Sequence, residues 1–175
     1  ANAQRHEFDV ALEGGGIECN GQGLALVSES LIQQRNPGVG RAALEAAFLA
    51  LPGIRKIIWL ADGLASDPHL RGSITGNYVA WGTGGHTDEF VRFVDAQTVL
   101  LAWPDDADVA AHPVARLNRL RMQRNFEILS RSSDVQGRPL KVLKLPTPRS
   151  VERRIFLSAA TDDRYSNEWT ADFFP

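Results

Sequence analysis

An α/β fold built from a repeated ββαβ unit is what this 175-residue sequence predicts, on three observations. First, the order hairpin, helix, strand occurs twice. "LALVS" at 24–28 falls 75 residues before "VLLAW" at 99–103, and "RKIIWL" at 55–60 falls 85 residues before "LKVLKL" at 140–145. Second, apolar residues recur at helical spacing between hairpin and closing strand in both copies. Third, the closing strand of the first copy is apolar throughout its end, as a strand buried on both faces is. The period exceeds that of solenoid repeats, so we read it as internal duplication of one module.

The first module spans 8–60. "HEFDV" reads as a short strand leading into Gly14-Gly15-Gly16. "IEC" and "LALVS" flank "NGQG", a tight-turn sequence, and so form a hairpin. Pro37 and Gly38 break the strand. Ala43, Leu44, Ala47, Phe48 and Leu51 then line one side of a helix that Pro52-Gly53 stops. "IRKIIWL" closes the module. Residues 61–84, rich in glycine and without clear periodicity, read as a long inserted loop. The second module spans 85–146. "EFVRFVD" alternates and reads as a half-buried strand, "AQ" turns, and "TVLLAW" returns. "HPVARLNRLRMQRNFEILSRSSD" is a helix with Val114, Leu117 and Leu120 on one face, continued by Phe126 and Leu129. Gly137 ends it, and "PLKVLKLP" is the closing strand. Residues 147–175 start a third module that stops before any helix, so the chain reads as truncated at both ends.

Composition narrows the function. The apolar share is 43 % and the charged share 23 %, ordinary for a water-soluble globular chain. A formal net charge of −2 favours neither nucleic acid nor an anionic membrane as partner. The single cysteine, Cys19, excludes an intrachain disulfide and makes a reducing compartment, the cytoplasm, the expected location. No apolar run approaches the roughly 20 residues that cross a bilayer, and the first residues show no signal-peptide pattern.

Few residues can carry chemistry. Glu13 stands before the glycine triplet, and His86 and Asp88 stand after Gly84-Gly85. Both places lie at the mouth of a module's hairpin, so the two mouths converge if the modules surround a common axis. On a strand, His86 and Asp88 would share a face, which suits a histidine acid/base beside a carboxylate that holds a cationic substrate. Taken singly, "EGGG" is a turn and H-x-D a common pair. A zinc site on His86, Asp88 and Glu13 is a rival, but the other histidines, His6, His69 and His112, sit in unhelpful contexts. "GVGRAALE" lacks the ending of a phosphate-binding loop. The arginines at 116, 119, 121 and 124 read as a solvated helix face. Cys19, beside Glu18 and without a cationic neighbour, reads as structural rather than as a nucleophile.

In order along the chain, "LEGGGIECNGQGLALVSESLIQQRNPG", "IRKIIWL", "GGHTDEFVRFVDAQTVLLAW" and "LKVLKLPTP" resemble the agmatine deiminase and Porphyromonas-type peptidyl-arginine deiminase family. The resemblance spans nearly the whole chain. It implies the pentein fold, an α/β-propeller of five ββαβ modules, of which residues 1–175 would hold two and part of a third. It implies a hydrolase that turns agmatine and water into N-carbamoylputrescine and ammonia through a cysteine-bound intermediate. Peptidyl or free arginine is the alternative substrate, and a non-catalytic fragment or binding module the alternative role. The family's E-G-G glutamate corresponds to Glu13, which orients and charges the histidine. The G-H-x-D histidine corresponds to His86, the proton shuttle, and the aspartate to Asp88, which grips the guanidinium. No metal or cofactor is implied. The partner is a small cationic guanidino compound, and self-association through exposed sheet edges is left open. Three departures stand out. The family's nucleophilic cysteine and a second guanidinium-binding aspartate have no counterpart in this chain, so the chain alone is expected to be inactive. The 61–84 insertion is longer than in many relatives and offers Asp67, Tyr78 or Trp81 to the substrate pocket, with Trp81 the candidate for substrate binding. Glu89 stands where agmatine deiminases often have Asn.

Overall fold

The computed structural model describes Glu7, residues 9–156 and residues 168–173. Two three-stranded sheets have the same topology. In the first, β1 (Ile17–Cys19) pairs antiparallel with β2 (Leu24–Ser28), and β2 pairs parallel with β3 (Lys56–Leu60). In the second, β6 (Val91–Phe93) pairs antiparallel with β7 (Thr98–Trp103), and β7 pairs parallel with β8 (Lys141–Pro146). Each parallel pair needs a helical crossover. In the first sheet α1 (Glu29–Arg35) and α2 (Arg41–Leu49) supply it. In the second, α3 (Asp106–Ala111) and α4 (Pro113–Ser130) do.

The strands explain why the two units pack together. On β2 and β3, Leu24, Leu26, Ile58 and Leu60 face Phe90, Val91, Val99, Leu101, Met122 and Leu129 of the second unit in one continuous core. The alternate residues Val27 and Trp59 turn the other way, onto Ile32, Leu44 and Phe48. Strand alternation thus gives β2 and β3 two apolar faces, and all five residues of β2 are buried. Trp59 meets Phe48 edge to face at 5.9 Å, a favoured aromatic geometry.

Four expectations are corrected. The helix α1 replaces what was expected as strand and break between "LALVS" and Pro37. The strand expected in "HEFDV" falls partly outside the described residues, and Asp9–Leu12 form none. The side chain of Asn36 takes both backbone groups of Ala11 there, at 2.7 and 3.0 Å, which leaves no ladder to join. Residues 61–84 are not a plain loop. They contain the hairpin β4 (His69–Thr75) and β5 (Tyr78–Thr83), turned at Gly76 with φ 53°. Its β-formers, Ile74, Thr75, Tyr78 and Val79, are masked in the sequence by the surrounding glycines. This hairpin joins β9 (Val151–Phe156) and β10 (Glu168–Phe173) in a four-stranded sheet ordered β4-β5-β10-β9. Finally, the core face of α4 is not Val114–Leu117–Leu120, since Leu120 is 56 % exposed. It is Val114, Asn118, Met122, Asn125 and Leu129. Two asparagines interrupt the apolar stripe because they satisfy backbone groups of the 61–66 segment. Asn125 accepts from Ala61 N at 2.9 Å and donates to Asp62 O at 2.7 Å, and Asn118 accepts from Ala65 N at 2.7 Å. No helix among the described residues is long and apolar enough to cross a membrane.

Candidate active site

Both units lead into their hairpins through a single 3-10 turn, Gly14–Gly16 in the first and Thr87–Glu89 in the second. Glu13 and His86 are the residues immediately before those turns, both with ψ near 140°. The turns touch. Thr87, fully buried, donates its hydroxyl to Gly16 O at 2.8 Å and accepts from Ser28 N at 3.2 Å. The consequence is a direct contact between Glu13 Oε2 and His86 Nε2 at 2.6 Å. His86 and Asp88 lie on a turn and not on a strand, which corrects the expected shared strand face. The turn itself leaves His86 Nδ1 3.8 Å from Asp88 Oδ1.

Gly15 makes this fit. A Cβ built there would stand 2.2 Å from His86 Nδ1 and 2.9 Å from Asp88 Oδ1, so the imidazole and the aspartate lie against bare backbone. Gly85 has φ 98° and packs on Gly63, a conformation and an approach that only glycine tolerates.

Two further residues hold the pair. Arg35, at the end of α1, donates from Nε to Glu13 Oε1 at 2.6 Å and from Nη2 to Glu13 Oε2 at 3.2 Å. Asp67 accepts from Thr83 N, from the Thr83 hydroxyl, from Gly85 N at 2.8 Å and from His86 N at 3.0 Å. Sequence reasoning missed Arg35 and offered Asp67 for the substrate pocket, whereas its carboxylate serves the backbone that carries His86. Arg35 had one signal, a charge closing an amphipathic stretch before Asn36-Pro37, and the unpredicted helix hid it.

The electrostatics follow from these contacts. The Arg35 hydrogen bond, followed by that of His86, holds the Glu13 carboxyl below its ordinary range. Glu13 is therefore ionised, and Nε2 of His86 carries the proton that lies between them. Nδ1 is the ring nitrogen left on the side of Asp88. Glu89, next along the turn, is pushed up by burial and then by Asp67 and Asp88. A cleft lined by Asp88, Glu89, Phe90, Arg92, Pro146 and Thr147 opens beside it. Trp81 lies on β5, half exposed, two residues before Thr83. Cys19 lies on β1 with its residue surface exposed, but partial desolvation of its sulfur, then Glu18, pushes its thiol up, the reverse of an activated nucleophile. Among the described residues, no three His, Cys, Asp or Glu side chains are grouped to hold a metal ion.

Fold and cluster together define a mixed α/β protein whose repeated units meet in a Glu–His pair flanked by an aspartate. Residues 1–169 match the Porphyromonas-type peptidyl-arginine deiminase family, and the chain belongs to it. It is 34 % identical over 142 residues to agmatine deiminase of Pseudomonas aeruginosa, covering 80 % of this chain and 33 % of the relative. To agmatine deiminase of Pseudomonas fluorescens it is 36 % identical over 139 residues, covering 78 % of this chain and 32 % of the relative. Among solved structures it superposes on the agmatine deiminase of Enterococcus faecalis with a TM-score of 0.62 at 27 % identity, covering 87 % of this chain and 36 % of that one. The chain thus spans about a third of the length of these relatives.

Proposed function

We propose that this chain supplies the Glu–His–Asp half of a guanidine-hydrolysing deiminase of the pentein fold, acting on agmatine to give N-carbamoylputrescine and ammonia. The observation that carries the reading is the 2.6 Å contact of Glu13 with His86 Nε2, which leaves Nδ1 facing Asp88. Asp88 receives the guanidinium through paired N–H···O⁻ bonds. A thiolate from outside these residues attacks the guanidinium carbon, as the family resemblance implies. His86 first takes the thiol's proton at Nδ1 and passes it to the departing nitrogen, which leaves as ammonia. It then takes a proton from water, whose oxygen attacks the same carbon, and the C–S bond breaks to release the ureido product and the thiolate. Glu13 stays anionic throughout and stabilises the imidazolium whenever it forms. Half-exposed Trp81 provides an apolar wall for the carbon chain of the substrate.

The test is ammonia and ureido release by the full-length protein from agmatine, free arginine and an arginine peptide. The expected result is the highest kcat/KM on agmatine and background rates in His86→Ala. Release of ammonia from none of the three by folded wild-type protein overturns the reading. Calorimetric binding of agmatine without turnover would instead favour a non-catalytic binding role. The chain of residues 1–175 alone is expected to release none.

A further inference from the structure

Arg35 takes no part in the chemistry just described, and its position is unusual. It ends α1, yet its side chain is only 16 % exposed and reaches back to the residue before the glycine triplet. It grips both oxygens of Glu13. Its remaining donors are held as well. Nη2 donates to the carbonyl of Thr83, and Nη1 meets Gln34 Oε1 and, at 3.0 Å, His69 Nδ1. Thr83 and His69 belong to the 69–83 hairpin, so Arg35 links three pieces of chain: α1, the Glu13 turn, and the hairpin that runs into Gly84-Gly85-His86.

We infer that Arg35 is a positioning residue for the deiminase reaction, acting through Glu13 to fix the orientation of His86 and tying both to the 69–83 hairpin. The inference rests on the function proposed above but has a structural consequence of its own. A glutamate in an extended stretch before three glycines has little to fix its rotamer, and a bidentate guanidinium removes that freedom. The same ion pair keeps Glu13 ionised, with Arg35 as the first cause and His86 the second. The contacts of Arg35 are with Glu13, Gln34, His69 and Thr83, so it acts on the residue that holds His86 and on the hairpin.

The test uses the full-length protein as wild type, Arg35→Met and Arg35→Lys, with thermal melts to establish folding. One readout needs no turnover. The downfield Nε2–H resonance of His86, assigned by its loss in His86→Ala, is followed by NMR as pH falls. A neighbouring opposite charge shifts a carboxyl by about 1–3 units. The resonance is therefore expected to vanish about one pH unit higher in Arg35→Met, with Arg35→Lys returning most of the way. The second readout is kinetic: kcat falls about 10²-fold in Arg35→Met, the loss typical of a misplaced catalytic group. KM stays near wild type, the acid limb of the pH–rate profile moves up, and Lys recovers part of the loss. An unchanged Nε2–H titration together with wild-type kcat per folded molecule overturns the inference. If wild type turns over no guanidino compound, the function proposed above fails, and the NMR readout still decides the role of Arg35.

Discussion

The two hairpin mouths occupy equivalent places and do opposite things. "EGGGIEC" and "HTDEFVRF" each pass from a residue with extended ψ through one 3-10 turn into an edge strand. The second turn carries Thr, Asp and Glu, whereas the first carries three glycines. Had both kept side chains they would collide, since even a methyl at Gly15 would stand 2.2 Å from His86 Nδ1. The first turn is bare backbone, and the second lays its imidazole and carboxylate against it. What remains of the first is the single residue before the turn, Glu13, which meets its counterpart His86 at 2.6 Å. The close fit of His86 and Asp88 at this junction thus needs the two turns to differ in side-chain volume while they share a backbone path.

Substitutions in these paired turns sharpen the contrast. The largest effect is expected from Gly15→Ala. Its backbone tolerates alanine, so the loss falls on the displaced His86, and turnover by the full-length protein should drop at least about 10²-fold with the melting curve still cooperative. Wild-type kinetics in that variant would break the comparison. Next is Asp88→Asn, which removes the aspartate charge beside His86 without changing the volume. KM for agmatine should rise by at least about tenfold, the cost of one charge-assisted contact, with kcat reduced less. Thr87→Val keeps the shape but severs the bonds that tie the second turn to Gly16 of the first and to Ser28 at the end of β2. Leaving Ser28 N and Gly16 O unsatisfied in a buried site should cost about 1–3 kcal/mol in denaturant unfolding.

A smaller effect is expected at Glu89, whose folded-state carboxyl is raised by burial, then by Asp67 and Asp88. A raised carboxyl means that the charged form is disfavoured on folding. Stability is lost as pH climbs from the ordinary glutamate range through the raised value. Glu89→Gln should therefore raise Tm at pH 7 and leave it unchanged near the acid end, below both values. A rise that is equal at both pH values would show that charge is not the cause. The smallest effect belongs to Gly14→Ala. Nothing lies within 4 Å of a Cβ there, so stability should change by no more than about 0.5 kcal/mol and activity within about twofold. A loss as large as that of Gly15→Ala would mean that the turn itself, and not the contact with His86, demands glycine.

Much of the fold was legible because burial writes itself into local pattern. The continuous apolar run of β3 and the alternation of β6 are read from neighbouring residues alone. Two of the failures share one physical cause, polar residues that serve distant backbone. Asn118 and Asn125 break the apolar stripe of α4 because they bond to residues 61–66. Asn36 cancels the strand expected before Glu13 by taking the backbone of Ala11. The hairpin of 69–83 escaped notice because its β-forming residues sit between glycines.

By itself the sequence determined the α/β composition, the repeat of hairpin, helix and strand, and the candidates Glu13, His86 and Asp88, since these depend on periodicity and on residue types beside turns. Only the tertiary structure decided that the candidates meet where the two turns touch, that Asp88 reaches His86 through a 3-10 turn, and that Arg35 and Asp67 hold the pair. Such contacts join residues 13, 35, 67 and 86. Short-range pattern carries no record of them, because their energy is gained only where two sheets pack through a common core.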